Sequence, residues 1–358
     1  MLKILVIGDD FTPFRLFEEH LIARFSNLPI SVSGFDLDTD SPTPKLTEVR
    51  EYLGDPDRIM EEVKDADALV TTFAPITRSV IDAARNLRLI ACGRGGPVNV
   101  NVLYATQRKI PVVYCPGRNA EAVADYTLGL IICLARNVIK ADRYVRSGQW
   151  KTTREDTFEK PTGFELQNKT LGIIGFGQVG SRVSQRAKAF GLRTLIYDPY
   201  VKGTQEFVDL TTLILESDII TVHIRLSEGS APLIGAQEFR SMKKGALFIN
   251  TSRAIAVDEN ALCEALNSNH LGGAALDVFT QEPIPMSSKL LSLDNVILTP
   301  HAAGVSLDIP TTTCAMIANE LALFFNRQKP QHVINPEVLA DLVSSSSNLA
   351  TRSEKVVK

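Results

Sequence analysis

At 358 residues the chain is too long for one ordinary hydrophobic core, which points to two domains. Its net charge of −3, with 22% charged and 44% hydrophobic residues, is ordinary for a globular protein and argues against a general nucleic-acid or membrane-surface binder. The five cysteines, Cys92, Cys115, Cys133, Cys263 and Cys314, form no C-x-x-C pair and fit a reduced, cytoplasmic protein better than a disulfide framework.

Short apolar runs alternate with helical patterns along most of the chain, the signature of an α/β protein built on parallel sheets. The first strand is expected at Lys3–Ile7, too soon followed by Asp9-Asp10 for a signal peptide, and an amphipathic segment follows around Phe14–Phe25. Further strands are expected at Ala68–Thr71, Leu89–Cys92 and Val112–Tyr114, then a long helix from about Asn119 to Val138 joining the domains. Within that helix Leu128–Ala135 is strongly apolar but far short of the roughly 20 residues that span a bilayer. The second unit opens at Thr170, with strands at Leu171–Ile174, Thr194–Tyr197, Ile219–His223, Ala246–Asn250, Ala274–Leu276 and Val296–Leu298. Val179, Val183, Ala187 and Phe190 share one helix face that Gly191 is placed to end, and Asp258 suits an N-cap. A helix over about Ser306–Asn326 is expected to return to the first unit. The expected layout is a discontinuous substrate-binding domain (1–117 with 305–336), a dinucleotide-binding domain (118–304) and a polar, disordered tail (337–358).

Gly175-Phe176-Gly177-Gln178-Val179-Gly180 is G-x-G-x-x-G, placed between an apolar strand and a helix as dinucleotide binding requires. The first glycine permits the tight turn, the second lets backbone approach a pyrophosphate, and the third lets helix and strand pack closely, with free helix N–H groups facing the phosphates. Asp198 ends the next strand, 18 residues after Gly180. A carboxylate there accepts from ribose hydroxyls and repels a 2′-phosphate, so NAD is favoured over NADP.

Ligands of open α/β sheets bind at the carboxyl ends of strands, where Asp198, His223, Arg253, Asp277 and His301 all fall. An imidazole can take or give a hydroxyl proton, which suits His301; Ala302, Ala303 and Gly304 beside it leave room for a substrate. Glu282 is placed to pair with that imidazole, its backbone biased toward extension by Pro283, and the Arg253 fork matches a carboxylate. His223 is expected to line the cofactor groove, whereas His20, His270 and His332 have no such context.

The chain resembles the D-isomer-specific 2-hydroxyacid dehydrogenases, which include phosphoglycerate, glycerate and D-lactate dehydrogenases. The resemblance runs from about Ala91 to Pro336 and rests on Pro116–Ala120 with Ala122-Val123-Ala124, Leu171–Gly180 with Tyr197-Asp198-Pro199, Phe248–Arg253 with Val257-Asp258-Glu259, Ala275–Phe279, Glu282-Pro283 and Thr299-Pro300-His301. It implies two Rossmann-like parallel-sheet domains with a cleft that closes over the reactants, hydride transfer between NAD and a small D-2-hydroxy acid or 2-oxo acid, and a catalytic trio of Arg253, Glu282 and His301. Asp277 would contact the nicotinamide amide and Asp198 the ribose, with Thr251 and Gly304 also counted among the cofactor contacts. A homodimer is implied, with the helix near Asn119–Val138 in the contact.

This chain departs from the family pattern in places. In Cys92–Asn99, where the family usually has Gly-x-Gly followed by an aspartate-containing segment, there is Gly-Gly-Pro, and Asn99 stands near the usual acid. Backbone N–H groups of Gly95 and Gly96 still suit a carboxylate, and Arg94 is a candidate charge for a phosphate or second carboxylate, the alternative being an exposed loop arginine. Arg225 stands where proline is common and bears on NAD versus NADP. Asp125 replaces a glutamate, and serine feedback through an added carboxyl-terminal domain is not expected. The substrate itself is not coded, although Gly93–Asn99 and Thr72–Thr77 are the segments expected to set it, and a phosphorylated or sugar-derived acid is among the options. Two other readings stay open: a formate- or phosphonate-type dehydrogenase on the same scaffold, and an NAD-sensing corepressor-like binding protein.

Overall fold

Runs such as Ala68-Leu69-Val70-Thr71 and Leu89-Ile90-Ala91-Cys92 are apolar on successive residues, so they suit strands covered on both faces, and both are buried throughout. The computed structural model describes residues 1–26, 28–38, 43–148, 150, 161–203, 206–224 and 231–340. It divides into two units, Met1–Arg118 with the chain from Leu307 onward, and Asn119–Ser306.

The first unit holds five parallel strands, β1 (Leu2–Gly8), β2 (Ile30–Asp36), β3 (Ala68–Thr71), β4 (Leu89–Cys92) and β5 (Val112–Tyr114), ordered β2-β1-β3-β4-β5. Alternation along β1 divides its side chains between two cores. Ile4 and Val6 meet Phe17 and Leu21 of helix Phe14–Arg24 and Ile317 and Leu321 of helix Ile309–Phe325. Leu5 and Ile7 meet Ile59, Val80, Ile81 and Ala105 from three short helices, Pro56–Glu62, Arg78–Ala83 and Val102–Gln107. Strand β2 has no counterpart in the sequence reading. It is a partly exposed edge strand whose Ser31, Ser33 and Gly34 dilute the apolar signal. Gly34 is needed there, since a Cβ would fall 2.0 Å from the Val6 carbonyl oxygen.

The second unit holds six parallel strands, β6 (Thr170–Ile174), β7 (Arg193–Tyr197), β8 (Ile219–Val222), β9 (Leu247–Asn250), β10 (Gly273–Leu276) and β11 (Val296–Leu298), ordered β7-β6-β8-β9-β10-β11. Helices Ala120–Ala135 and Gln178–Ala189 cover one face, packing Leu128, Ile131, Val183 and Ala187 on Leu171, Ile173 and Ile249. Leu213, Phe239, Leu262 and Leu266 cover the other over Ile220, Val222 and Phe248. Both sheets are thus Rossmann-like and parallel, as the alternating pattern requires.

Three expectations need correction. The helix expected to run to Val138 stops at Ala135, because Asn137 turns left-handed (φ 51°) and a second helix, Val138–Arg146, leaves at 61°. That helix lies wholly in the second unit rather than joining two domains. The segment from 337 is ordered as far as it is described: Pro336–Leu339 form a 3-10 turn with Leu339 buried in the first unit's core. The rest of the expected disordered tail, and Arg225, lie outside the described residues. Among those residues no single helix is long and apolar enough to cross a membrane.

Candidate active site

In the second unit the chain runs from β6 outward to β7, then returns to place β8 on the other side of β6. That reversal opens a crevice at the strand ends, where ligands of such sheets bind. The glycine loop lies in it. Gly175 is left-handed (φ 95°), donates its N–H to Tyr197 O at 2.8 Å, and has the His223 carbonyl 2.4 Å from where a Cβ would stand. Gly180 is pressed on the Gly175 carbonyl, 2.0 Å from its missing Cβ, so only glycine lets the helix start this near the strand. Gly177 caps helix Gln178–Ala189, a Cβ there would meet nothing within 4 Å, and the cap makes no side-chain hydrogen bond. Open space over bare helix N–H groups is what a pyrophosphate requires. Gln178 accepts from Arg182, and Val179 packs inward against the core.

Asp198 fixes the rim of this crevice. One carboxylate oxygen accepts from Phe176 N at 2.8 Å and the other from Tyr200 N and Val201 N at 2.8 and 3.2 Å. Three of about four acceptor sites are filled by backbone, leaving one for a ribose hydroxyl. His223 bonds through Nε2 to Thr221 Oγ1 at 3.0 Å, while its buried Nδ1 has no partner among the described residues. Burial pulls the imidazole down to about 3, so the ring is neutral at physiological pH. Thr251 is buried, its hydroxyl 2.9 Å from that of Thr127, tying β9 to helix Ala120–Ala135. Gly304 lies against Asn119, whose Nδ2 would be 2.6 Å from an added Cβ. Open glycine backbone, an acceptor at the end of β7 and an orphaned buried nitrogen together fit a dinucleotide.

The same strand-end edge pairs two of the expected trio, and the charge of the third, Arg253, acts on Glu282. His301 Nδ1 lies 2.8 Å from Glu282 Oε2, and Glu282 Oε1 accepts from Phe279 N at 3.0 Å. Burial tends to raise the Glu282 carboxyl, but the His301 and Phe279 hydrogen bonds and the charges of His301 and Arg253 outweigh it and hold the group below its ordinary value. The Glu282–Pro283 peptide is cis. Arg253 follows β9 as an exposed residue, its carbonyl held by Asn250 Nδ2 at 2.9 Å and one guanidinium nitrogen on Ser252 O at 2.7 Å. The remaining donors of its fork have no partner among the hydrogen bonds and ion pairs of the described residues.

Asp277 does something the sequence did not suggest. Its buried carboxylate accepts from Thr299 Oγ1 at 2.6 Å, Ala302 N at 2.8 Å and Ala303 N at 2.9 Å. These bonds clasp the turn carrying His301, whose backbone is left-handed (φ 51°), a costly conformation for a non-glycine residue. Glu259 acts similarly on the other partner, accepting from Thr280 N and Oγ1 at 3.3 and 3.0 Å beside the Glu282 segment. Neither strap is visible as a motif, because each links residues some 20 positions apart.

In the first unit Gly93–Gly96 follows β4, with Gly93 N donating to Thr71 O at 2.7 Å and Cys115 N to Arg94 O at 2.8 Å. Gly95 is open, its nearest neighbour to an added Cβ being Cys115 O at 3.8 Å, and Gly96 O accepts from Val98 N. Arg94 is neither free for a ligand nor exposed. It pairs with the Glu51 carboxylate, donates to Glu51 O at 2.6 Å, stacks 4.8 Å over Phe73, and its side chain is only 14% exposed. Asn99 is likewise structural, buried between Cys92 Sγ and Ala74 O.

Comparison with known proteins identifies the family. Residues 128–303 match the family model of the D-isomer-specific 2-hydroxyacid dehydrogenase NAD-binding domain. A glyoxylate reductase of Korarchaeum cryptofilum is 41% identical over 288 residues, 78% of this chain and 86% of that one. A D-3-phosphoglycerate dehydrogenase of Methanocaldococcus jannaschii is 36% identical over 78% of this chain and 53% of its own length. Among solved structures, a protein from Thermus thermophilus superposes with a TM-score of 0.70 at 29% identity, covering 93% of this chain and all of the other. The chain therefore belongs to the D-isomer-specific 2-hydroxyacid dehydrogenases, NAD-dependent oxidoreductases acting on the CH–OH group.

Proposed function

We propose that this enzyme interconverts a small 2-oxo acid and its D-2-hydroxy acid, with His301 moving the proton, Glu282 orienting it and Arg253 holding the substrate. The observation that carries this reading is the 2.8 Å His301–Glu282 pair, with the Arg253 charge acting on it, on the sheet edge that also bears the glycine loop. Because Glu282 occupies Nδ1, Nε2 is the nitrogen left to meet the substrate oxygen. In reduction, protonated His301 gives its Nε2 proton to the oxygen of the new hydroxyl; in oxidation, the neutral ring takes it back. NAD, when bound, supplies or accepts the hydride. Arg253 offers its fork to the carboxylate and the reacting oxygen, drawing electron density from the carbonyl carbon. Thr251 and Gly304 shape the floor of the cofactor site, Asp198 selects NAD through its remaining acceptor site, and Asp277 keeps a lone pair for the nicotinamide amide. On the first unit the Gly95 and Gly96 backbone is proposed to receive the substrate carboxylate. A homodimer is proposed on helices Ala120–Ala135 and Val138–Arg146; the second buries no residue and exposes Val138, Ile139 and Val145.

The test is a panel of 2-oxo acids with NADH, beginning with glyoxylate and including phosphorylated and unphosphorylated members, read as loss of NADH absorbance. Turnover on at least one, falling ~10²–10⁴-fold in H301A while NADH still binds, is expected from general acid–base catalysis. Absence of turnover across the panel, or full activity in H301A, overturns the reading.

A further inference from the structure

The pairing of Arg94 with Glu51 leaves another cation beside the Gly93–Gly96 loop. Arg118 follows β5, and its N–H closes a turn onto Cys115 O at 3.4 Å. One guanidinium nitrogen lies 3.3 Å from Thr313 Oγ1, and the guanidinium carbon lies 6.0 Å from the Phe11 ring centre. Thr313 is itself wedged against the loop: its methyl carbon would stand 2.8 Å from a Cβ on Gly93. Arg118, Thr313 and Gly93 are therefore neighbours at the carboxyl edge of the first unit's sheet, with Thr313 and Gly93 buried beneath the half-buried arginine.

The side chain is half-buried, yet no carboxylate pairs with it among the described residues. Asp9 is near enough to act on it, but its oxygens already accept from Phe11 N, Thr12 N and Thr12 Oγ1 at 2.9, 2.8 and 3.0 Å. Glu51 is taken by Arg94. Burial pulls the Arg118 guanidinium below its ordinary value, and the like charge of Arg94 adds to the pull. A partly desolvated cation with a five-donor fork, one hydroxyl partner and no carboxylate in direct contact among the described residues is a site suited to an anion from outside the chain.

We infer that Arg118, positioned by the buried Thr313, forms a second anion subsite beside the Gly93–Gly96 loop, which assigns the enzyme a substrate carrying two anionic groups. One is the 2-hydroxy or 2-oxo carboxylate on the loop backbone; the other is a phosphate ester or a second carboxylate on Arg118. This rests on the proposed role of the loop, and it names the substrate class of that same site.

The test reads binding and turnover separately. At fixed ionic strength, calorimetry of the enzyme–NADH complex with 3-phosphoglycerate, malate, glycerate and lactate compares dianions with monoanions without chemistry. The wild type is expected to bind at least one dianion about 10–100-fold more tightly than its monoanionic counterpart, the range of a charge-assisted contact. In R118M that preference is lost, and in R118K, which keeps the charge without the fork, it is partly retained. R118K also serves if R118M does not fold, as judged by its melting curve and NADH affinity. A phosphate ester bound more tightly than the dicarboxylate identifies a phosphorylated substrate, and the reverse order a dicarboxylic one. Equal affinity for all four acids in the wild type, or a preference surviving in R118M, overturns the subsite. Turnover on the 2-oxo acid panel without a dianion preference sinks the subsite and leaves the proposed function standing. A dianion preference with no turnover does the opposite.

Discussion

Replacing Asp277 with asparagine separates holding the catalytic histidine from merely filling space. The substitution keeps size and shape but turns one acceptor oxygen into an NH₂ group. In the native arrangement that carboxylate takes three hydrogen bonds, at 2.6, 2.8 and 2.9 Å, at a site 1% exposed. The amide oxygen of the variant replaces one carboxylate oxygen at most, so either Ala303 N, or Thr299 Oγ1 together with Ala302 N, loses its acceptor and faces another donor. Each buried donor left unmade costs about 1–3 kcal/mol. The left-handed backbone at His301 stores a further ~1–3 kcal/mol that the clasp holds in place. D277N is therefore expected to lower the unfolding free energy by ~2–4 kcal/mol, or to escape part of that cost by letting the turn relax and carry His301 off Glu282. Either outcome lowers turnover at saturating NADH, by ~10²-fold if the proton-transfer geometry is lost. Urea unfolding gives the first quantity and single-turnover kinetics the second. T299V, which removes only the 2.6 Å bond, is the graded control, at ~1 kcal/mol. Stability and single-turnover rate both unchanged in D277N, or a loss of stability with the native rate, would refute the positioning argument.

G180A puts a methyl 2.0 Å from the Gly175 carbonyl and must push helix from strand; NADH affinity by fluorescence titration should fall ~10-fold or more, and native affinity would count against the packing reason for this glycine. D198A removes the acceptor for three loop amides and the charge that repels a 2′-phosphate, so the NAD/NADP ratio of kcat/KM should drop at least ~10-fold; an unaltered ratio dismisses Asp198 as the selector. Asp218 tests the pH dependence. Burial pushes its carboxyl up, but the Thr170 amide and Lys243 prevail and hold it below the ordinary value. Its stabilisation is thus complete above the unfolded carboxylate pKa and lost as pH falls through the lower folded value. D218N should be less stable by ~1 kcal/mol at neutral pH and indistinguishable from wild type once Asp218 is protonated in the fold; a difference persisting in strong acid would show another cause.

Sequence alone was enough for whatever depends on neighbours in the chain. Short apolar runs without alternation suit strands covered on both faces, and β3, β4 and β5 lie where those runs predict. The glycine loop was legible because its three glycines answer to local demands: a left-handed turn, an open approach and a close helix start. The strand-end rule likewise pointed to Arg253 and His301 before any coordinates, and Glu282, read as the partner of that imidazole, is hydrogen-bonded to it. Edge strand β2 and the break at Asn137 were not legible, since one has no buried face to impose a pattern and the other is a single residue's backbone choice.

Which charges are free and which are spent was settled only by the fold. From sequence, Arg94 and Arg118 are two arginines near a glycine-rich loop; folding brings Glu51, 43 residues away, onto the first and Thr313, 195 residues away, onto the second. Asp277 reads from sequence only as a ligand of the cofactor; the fold adds three donors from 22 to 26 positions further on that close around it. Hydrogen bonds and ion pairs have a reach of about 3 Å and no memory of chain distance, whereas periodicity and motifs record only what lies within a few residues. The chain therefore writes its elements and its catalytic side chains locally, but their partners, and so their roles, exist only once distant segments meet.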